Sequence, residues 1–199
     1  MDIPWGSEGA WKFITNVGLI TSNGPHGHNI MAAEWTHHLS YSPGLIAVCI
    51  GHGKATLENI RKTKEFGVSI TAVDQNIISN IAGSYSGRDY DKISALKELG
   101  FDFYHGKKIK PLMVIGAALN AECKVTKEIE LGDHVMMVGE VVDLKINDKE
   151  PIAYHKGQYW IMHKNAKKPS DKEGERIRNV IEKHRKDVQY AKARMGNSL

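Results

Sequence analysis

The sequence predicts a mainly β fold, a β-barrel with α insertions whose strands run antiparallel, and a separate helix at the C-terminal end. Three observations point there. Short β-branched runs recur between clusters of Gly, Pro, Ser and Asn. Helical periodicity is confined to the stretch from Thr56 to Gly100 and to the tail. After Pro111 the pattern is one of strands, as in LNAECKV at 119–125, where Ala121, Cys123 and Val125 face one way and Glu122 and Lys124 the other.

Residues 12–22 (KFITNVGLITS) and 44–51 (GLIAVCIG) read as strands. NGPHGHN at 23–29 is a turn, which makes 12–35 a hairpin, and Pro43-Gly44 punctuates the entry to the next strand. TLENIRKTKEFG then sets Leu57, Ile60 and Lys64 at helical spacing, with Thr56 as N-cap and Gly67 as the stop. VSITAV at 68–73 returns to strand. A second helix, 74–82, opens at Asp74 and carries Ile77, Ile78 and Ile81 on one side. GSYSGRDYDK is a polar loop, and ISALKELG a short helix stopped by Gly100. HVMMVGEVVDLKI is a strand, Asn147-Asp148 a turn, and PIAYHKGQYWIM a last strand. In the tail, Ser170 with Glu173 forms a capping-box pattern ahead of a narrow stripe of Ile177, Val180, Ile181 and Val188. That helix is expected to dock on its own body or on a second subunit. The organisation predicted is a barrel domain over 1–163 and a basic helical extension over 164–199.

At 199 residues, 41% hydrophobic and 25% charged, the chain has the composition of an ordinary globular protein. No apolar run approaches the roughly 18 residues of a membrane span. The N-terminus MDIPWGSEGAWKF lacks the basic start and apolar core of a secretory signal, so a cytoplasmic location is expected. The net charge of +4 belongs to the tail: residues 164–194 carry eleven Lys and Arg against five Asp and Glu. No nucleic-acid partner is implied for the body. Cys49 and Cys123 sit in apolar or alternating runs without CxxC spacing and read as buried structural thiols.

Some stretches carry chemistry. In GHGKATLENI the spacing of a nucleotide-triphosphate loop fails, because Val48 and Ala55 stand where Gly and Ser or Thr are needed. Lys54, Thr56 and the free N–H groups of the helix starting there still suit a single terminal phosphate. A solvated Lys54 and a merely capping Thr56 account for the same residues equally well. His26-x-His28 lies in a turn and His37-His38 are adjacent, pointing to opposite faces of a strand, so no dedicated metal site is expected. No GxSxG or Cys/His nucleophile arrangement is present, so the hard chemistry of an enzyme here falls to a cofactor. Gly132-Asp133-His134, between two strand-like runs, places an imidazole where a sheet bends back, either to close the turn or to act.

Four blocks, in order over residues 12–163, carry a family resemblance: NIMAAEWTHHLSYSPGLIAVCIG (29–51), GKATLENI with EFGVSI (53–70), SGRDYDK (86–92) and ELGDHVMMVGEVVDL (130–144). The chain resembles the flavin reductase-like, FMN-binding split-barrel family, and within it the flavoredoxin-like proteins. The resemblance implies an antiparallel Greek-key split barrel that binds FMN. Asn29, Met31, Ala32, Ala33, Glu34, Trp35 and Thr36 would line the isoalloxazine and ribityl chain. Lys54, Ala55 and Thr56 would hold the phosphate, with Lys54 in place of an Arg often found there. Ser86 and Gly87 would close over the flavin, and His134 would stand near the ring where a nicotinamide can stack. The implied activity is an oxidoreductase moving electrons or hydride from NAD(P)H or a redox protein through FMN, and the implied assembly is a homodimer. The alternative is a non-catalytic FMN-binding or electron-carrier protein.

Overall fold

The computed structural model describes residues 2–185. The chain divides into two units, Met1–Met162 and His163–Leu199. The first carries β1 (Thr15–Asn16), β2 (Gly18–Ser22), β3 (Asn29–Ala33), β4 (Thr36–Tyr41), β5 (Gly44–Gly51), α1 (Ala55–Thr63), β6 (Glu65–Ile70), α2 (Asn76–Ser84) and α3 (Lys92–Glu98). It continues with β7 (Phe103–His105), β8 (Leu112–Val114), β9 (Leu119–Leu131), β10 (His134–Ile146), β11 (Ala153–His155) and β12 (Gln158–Trp160). The second unit carries α4 (Asp171–Lys183), which opens with the expected capping box of Ser170 and Glu173. Val188 of the tail stripe lies outside the described residues.

Seven strands form one antiparallel sheet in the order β3-β2-β6-β9-β10-β5-β4. Its two edges, β3 and β4, are consecutive in the chain and joined only by Glu34 and Trp35. Seven strands laid flat would hold their edges roughly 29 Å apart, whereas a two-residue link reaches only about 10 Å. The sheet must therefore curl until the edges approach, giving a split barrel. The curl is taken up in the long β9–β10 pair, whose register shifts between Val138 and Gly139 and between Val141 and Asp143. Gly139 is bare for a local reason: a Cβ there would lie 2.7 Å from Cys123 Cβ.

Strand alternation separates the two sides of the wall. Ile20 of β2 joins a cluster with Val48, Ile50, Phe66, Val68, Val135 and Met137 inside the barrel. Leu19 joins an outer cluster with Ile30, Ile78, Leu96 and Val114. The mid-chain helices α2 and α3 thus cover the outer face, and β2 is buried along its whole length.

Several expected boundaries shift. α1 is capped by Lys54, not Thr56, and ends at Lys64 in the left-handed conformation, so Gly67 lies inside β6. Gly67 is needed there because a Cβ would run into Thr21 and Met113. α2 starts at Asn76, and Ile77 points outward while Ile78 is buried. The expected last strand is a hairpin, β11–β12, turning at Lys156-Gly157 with both φ positive. It pairs with β1 in a separate three-stranded sheet.

Glu122, set on the strand face opposite Cys123, is buried and not solvent-facing like Lys124. It is 2% exposed, and its carboxylate accepts from the backbone N–H groups of Lys107, Lys108 and Ile109 at 2.8, 2.6 and 3.1 Å. The 106–109 loop covers this part of β9, so both faces are buried there.

Candidate functional site

A cavity of about 620 Å3 opens beside the Glu34–Trp35 link. Its volume is within the usual range for small-molecule sites, about 300–1,000 Å3. Met31, Ala32, Ala33, Glu34 and Trp35 supply one wall; Cys49, Gly51 and Lys54 supply the end of β5 and the turn into α1; Asp133 and His134 supply the β9–β10 turn. A second bay of about 560 Å3 shares Trp5, Ala32, Glu34 and Lys54 with the first and continues past Ser79 of α2 to Tyr154 and Tyr159.

The expected site residues fall into three groups. Met31, Ala32, Ala33, Glu34, Trp35, Lys54 and His134 line the one cavity. Asn29, Thr36, Ala55 and Thr56 are buried behind it. Asn29 Nδ2 donates to Thr56 Oγ1 at 2.8 Å, so that hydroxyl is engaged within the protein. Thr36 Oγ1 donates to Ala33 O at 3.1 Å and fixes the bend between β3 and β4. Ser86 and Gly87 are on the loop after α2 and do not line the 620 Å3 cavity. Gly87 lies on Asn29, where a Cβ would collide with the amide, and it lines a separate polar cavity with Arg88, His26 and His28.

His134 is held on two sides. Its ring stands 4.6 Å from that of Trp35, tilted by 49°. Nδ1 is 2.7 Å from Asp133 Oδ1, which places the proton on Nδ1 and leaves Nε2 an acceptor in the neutral ring. The same hydrogen bond holds the Asp133 carboxyl below the usual carboxylate range. A Cβ on Gly51 would stand 3.9 Å from both His134 Nε2 and Lys54 Cε, so the imidazole and the lysine flank one bare stretch of β5.

Positive charge gathers at the start of α1. Lys54 precedes the helix N-terminus, whose first N–H groups have no intrahelical acceptors. Arg88 reaches in from the loop after α2: Nε donates to Gly53 O at 3.2 Å, and Nη2 pairs with Glu58 Oε1. Glu58 also meets His26 Nε2 at 2.6 Å, and these two partners, His26 first, hold its carboxyl below the usual range. Burial pushes down the pKa of His28. Lys92 is 3% exposed and donates to the carbonyls of Ala82 and Tyr85 at 3.3 and 3.0 Å. Burial, reinforced by the charge of Lys54, pushes its ammonium down to about 8.

The structure adds residues that sequence reasoning passed over. Trp5, Phe13 and Thr15 of the N-terminal segment line the first cavity, and Trp5 borders both bays. Their signal was present as two Trp and one Phe within thirteen residues. Cys49, expected to be buried, is half-buried and faces the cavity, while Cys123 is fully buried and its thiol is pushed up to about 12. Two hydroxyls on these walls, Thr15 Oγ1 and Ser79 Oγ, are buried without a hydrogen-bond partner. A ligand with an apolar ring system, a polar chain and an anionic end fits this donor set of apolar side chains with Trp35, unpaired hydroxyls, and Lys54 at a helix N-terminus. Among the described residues no helix is long and apolar enough to cross a membrane.

Residues 11–162 match the Flavin reductase like domain. An uncharacterized protein of Archaeoglobus fulgidus is 34% identical over 132 residues, 65% of this chain and 71% of that one. A ferric-chelate reductase (NAD(P)H) of the same organism is 27% identical over 158 residues, covering 79% and 90% respectively. Among solved structures, flavoredoxin from Methanosarcina acetivorans superposes with a TM-score of 0.74 at 21% identity, covering 89% of this chain and 99% of that one.

Proposed function

The chain belongs to the flavin reductase like family and is an oxidoreductase of that type, and we propose that it binds FMN in the 620 Å3 cavity and takes hydride from NADH or NADPH. The carrying observation is the convergence of Trp35, His134 and Lys54 on one cavity at the split of the barrel. Bound flavin supplies hydride and single-electron transfer. The protein's own residues bind and orient. Met31, Ala32 and Ala33 of the edge strand β3 offer apolar contacts, and Lys54 with the α1 N-terminus offers charge for a phosphate. Asp133 keeps the His134 proton on Nδ1, so Nε2 is the atom that accepts a hydrogen bond beside the Trp35 ring.

The test is direct. Purified protein is expected to be yellow, to release FMN on denaturation, and to bleach on anaerobic titration with NADH or NADPH. Release of FAD instead, or no bleaching by either nucleotide, would sink the corresponding part of the proposal. His134→Ala is expected to retain flavin but to lower kcat/KM for the nucleotide about tenfold, the loss of roughly one hydrogen bond. An unchanged value removes His134 from the reaction. Family resemblance also implies a homodimer, and the exposed Ile14, Trp160, Ile161 and Met162 beside the β1–β11–β12 sheet supply an apolar face for it.

A further inference from the structure

We propose that Arg88 is a second cationic ligand of the flavin's terminal phosphate and sets the preference for a phosphorylated flavin over riboflavin; this rests on the reading that FMN occupies the cavity beside Lys54. A phosphate monoester carries about −1.5 to −2 charges at neutral pH. Lys54 is a single point charge with no planar fork. The phosphate end therefore calls for a second cation near residue 54, and the structure offers two.

Lys92 is the weaker candidate. The residue is 3% exposed and its ammonium already donates to Ala82 O and Tyr85 O, so two of its three N–H groups are engaged within the protein. Arg88 differs on each count. Its Nε is hydrogen-bonded to Gly53 O, one residue before Lys54, which fixes the guanidinium at the turn leading into α1. Its side chain is 40% exposed, and two of its five N–H groups are engaged, by Gly53 and Glu58. The remainder are free to donate. Gly53 itself is open, since a Cβ there would meet nothing within 4 Å. Gly53, which carries the Arg88 contact and precedes Lys54, thus leaves the turn open to an anion.

Glu58 gives the arrangement its sign. It holds Arg88 in place through Nη2, while His26 takes its other oxygen. Glu58 lies in the first turn of α1, so its carboxylate also opposes an anion there. A bound phosphate would share Arg88 with Glu58 and be repelled by it.

The experiment titrates flavin-free protein with FMN and with riboflavin, following quenching of flavin fluorescence. Riboflavin lacks only the phosphate, so the ratio of the two dissociation constants isolates that end. Arg88→Ala is expected to weaken FMN about tenfold to a hundredfold, as for loss of a charge-assisted hydrogen bond, with riboflavin unchanged. Arg88→Lys, which keeps charge without the fork, is expected to fall between. Glu58→Gln is expected to raise the preference for FMN about fivefold, by removing a nearby like charge. A ratio unmoved by Arg88→Ala, or Arg88 variants that weaken both flavins alike, overturns the assignment. Wild-type protein that binds neither flavin refutes the underlying FMN reading instead.

Discussion

Glu122→Ala is expected to cost about 4 kcal/mol of stability, and to lower Tm by about 8–16 °C in a chain of this length. The carboxylate accepts three backbone N–H groups from consecutive residues 107–109. Hydrogen bonds to a charged acceptor contribute roughly 1.5–3 kcal/mol each, and a buried donor left without one carries its full desolvation cost. Removing the carboxylate orphans all three donors together. Gly106 reinforces the point, since a Cβ there would lie 2.8 Å from Ile109 O and 3.0 Å from Glu122 Oε2. Loop and carboxylate are therefore in close contact. Glu122→Gln keeps one acceptor oxygen but turns an NH2 toward N–H donors, so it is expected to fall between wild type and Glu122→Ala. Urea unfolding of the three proteins checks the order. A Glu122→Ala protein within 1 kcal/mol of wild type would show that the loop relaxes freely, and the anchoring role would be lost.

Glu122 also marks where strand alternation stops being informative. Period-two patterning assigns a polar residue to the solvent face only when that face is bare. In β9 the pattern correctly separates Cys123 from Lys124, since the first is buried and the second exposed. It fails at Glu122 because the 106–109 loop, which neither pattern nor composition places there, folds over that position. β5 and β10 were legible to the residue, as 44–51 and 134–146, because β-branched runs there end at turn residues that nothing overrides. α1 was legible as a helix but not at its ends. Lys64 adopts the left-handed conformation usually left to glycine, while Gly67 serves packing against Thr21 and Met113.

The site shows the same division. The stretch 31–35, Lys54 and His134 come from three separate parts of the chain, and motif resemblance places them together without geometry. Trp5 and Phe13 stand in an aromatic-rich stretch, but that they line this cavity depends on tertiary contacts that the stretch alone does not encode. Arg88 stands in a legible block, SGRDYDK, yet its contact with Gly53 depends on the loop after α2 meeting the start of α1.

Lys92 carries the second large expectation, a rise in stability with pH. Its folded-state pKa of about 8 is depressed from 10.5, first by burial and then by the charge of Lys54. Below pH 8 the ammonium is charged in both folded and unfolded chains, and the cost of burying it is fully present. Between about 8 and 10.5 the folded protein sheds the proton while the unfolded chain keeps it, so stability increases with pH. The span corresponds to about 3 kcal/mol. Lys92→Met fills similar space without a charge and should show none of this increment, so the stability of wild type relative to the variant is expected to rise by that amount from pH 8 to 10.5. A constant difference would mean that the ammonium stays solvated. The coupling to Lys54 extends the consequence to the site. A phosphate dianion beside Lys54 favours the charged form of Lys92, and a neutral Lys92 removes that attraction. Affinity for FMN is therefore expected to fall as pH rises through about 8 in the wild type and to fall less in Lys92→Met, with riboflavin, which has no phosphate, as the control that should not respond.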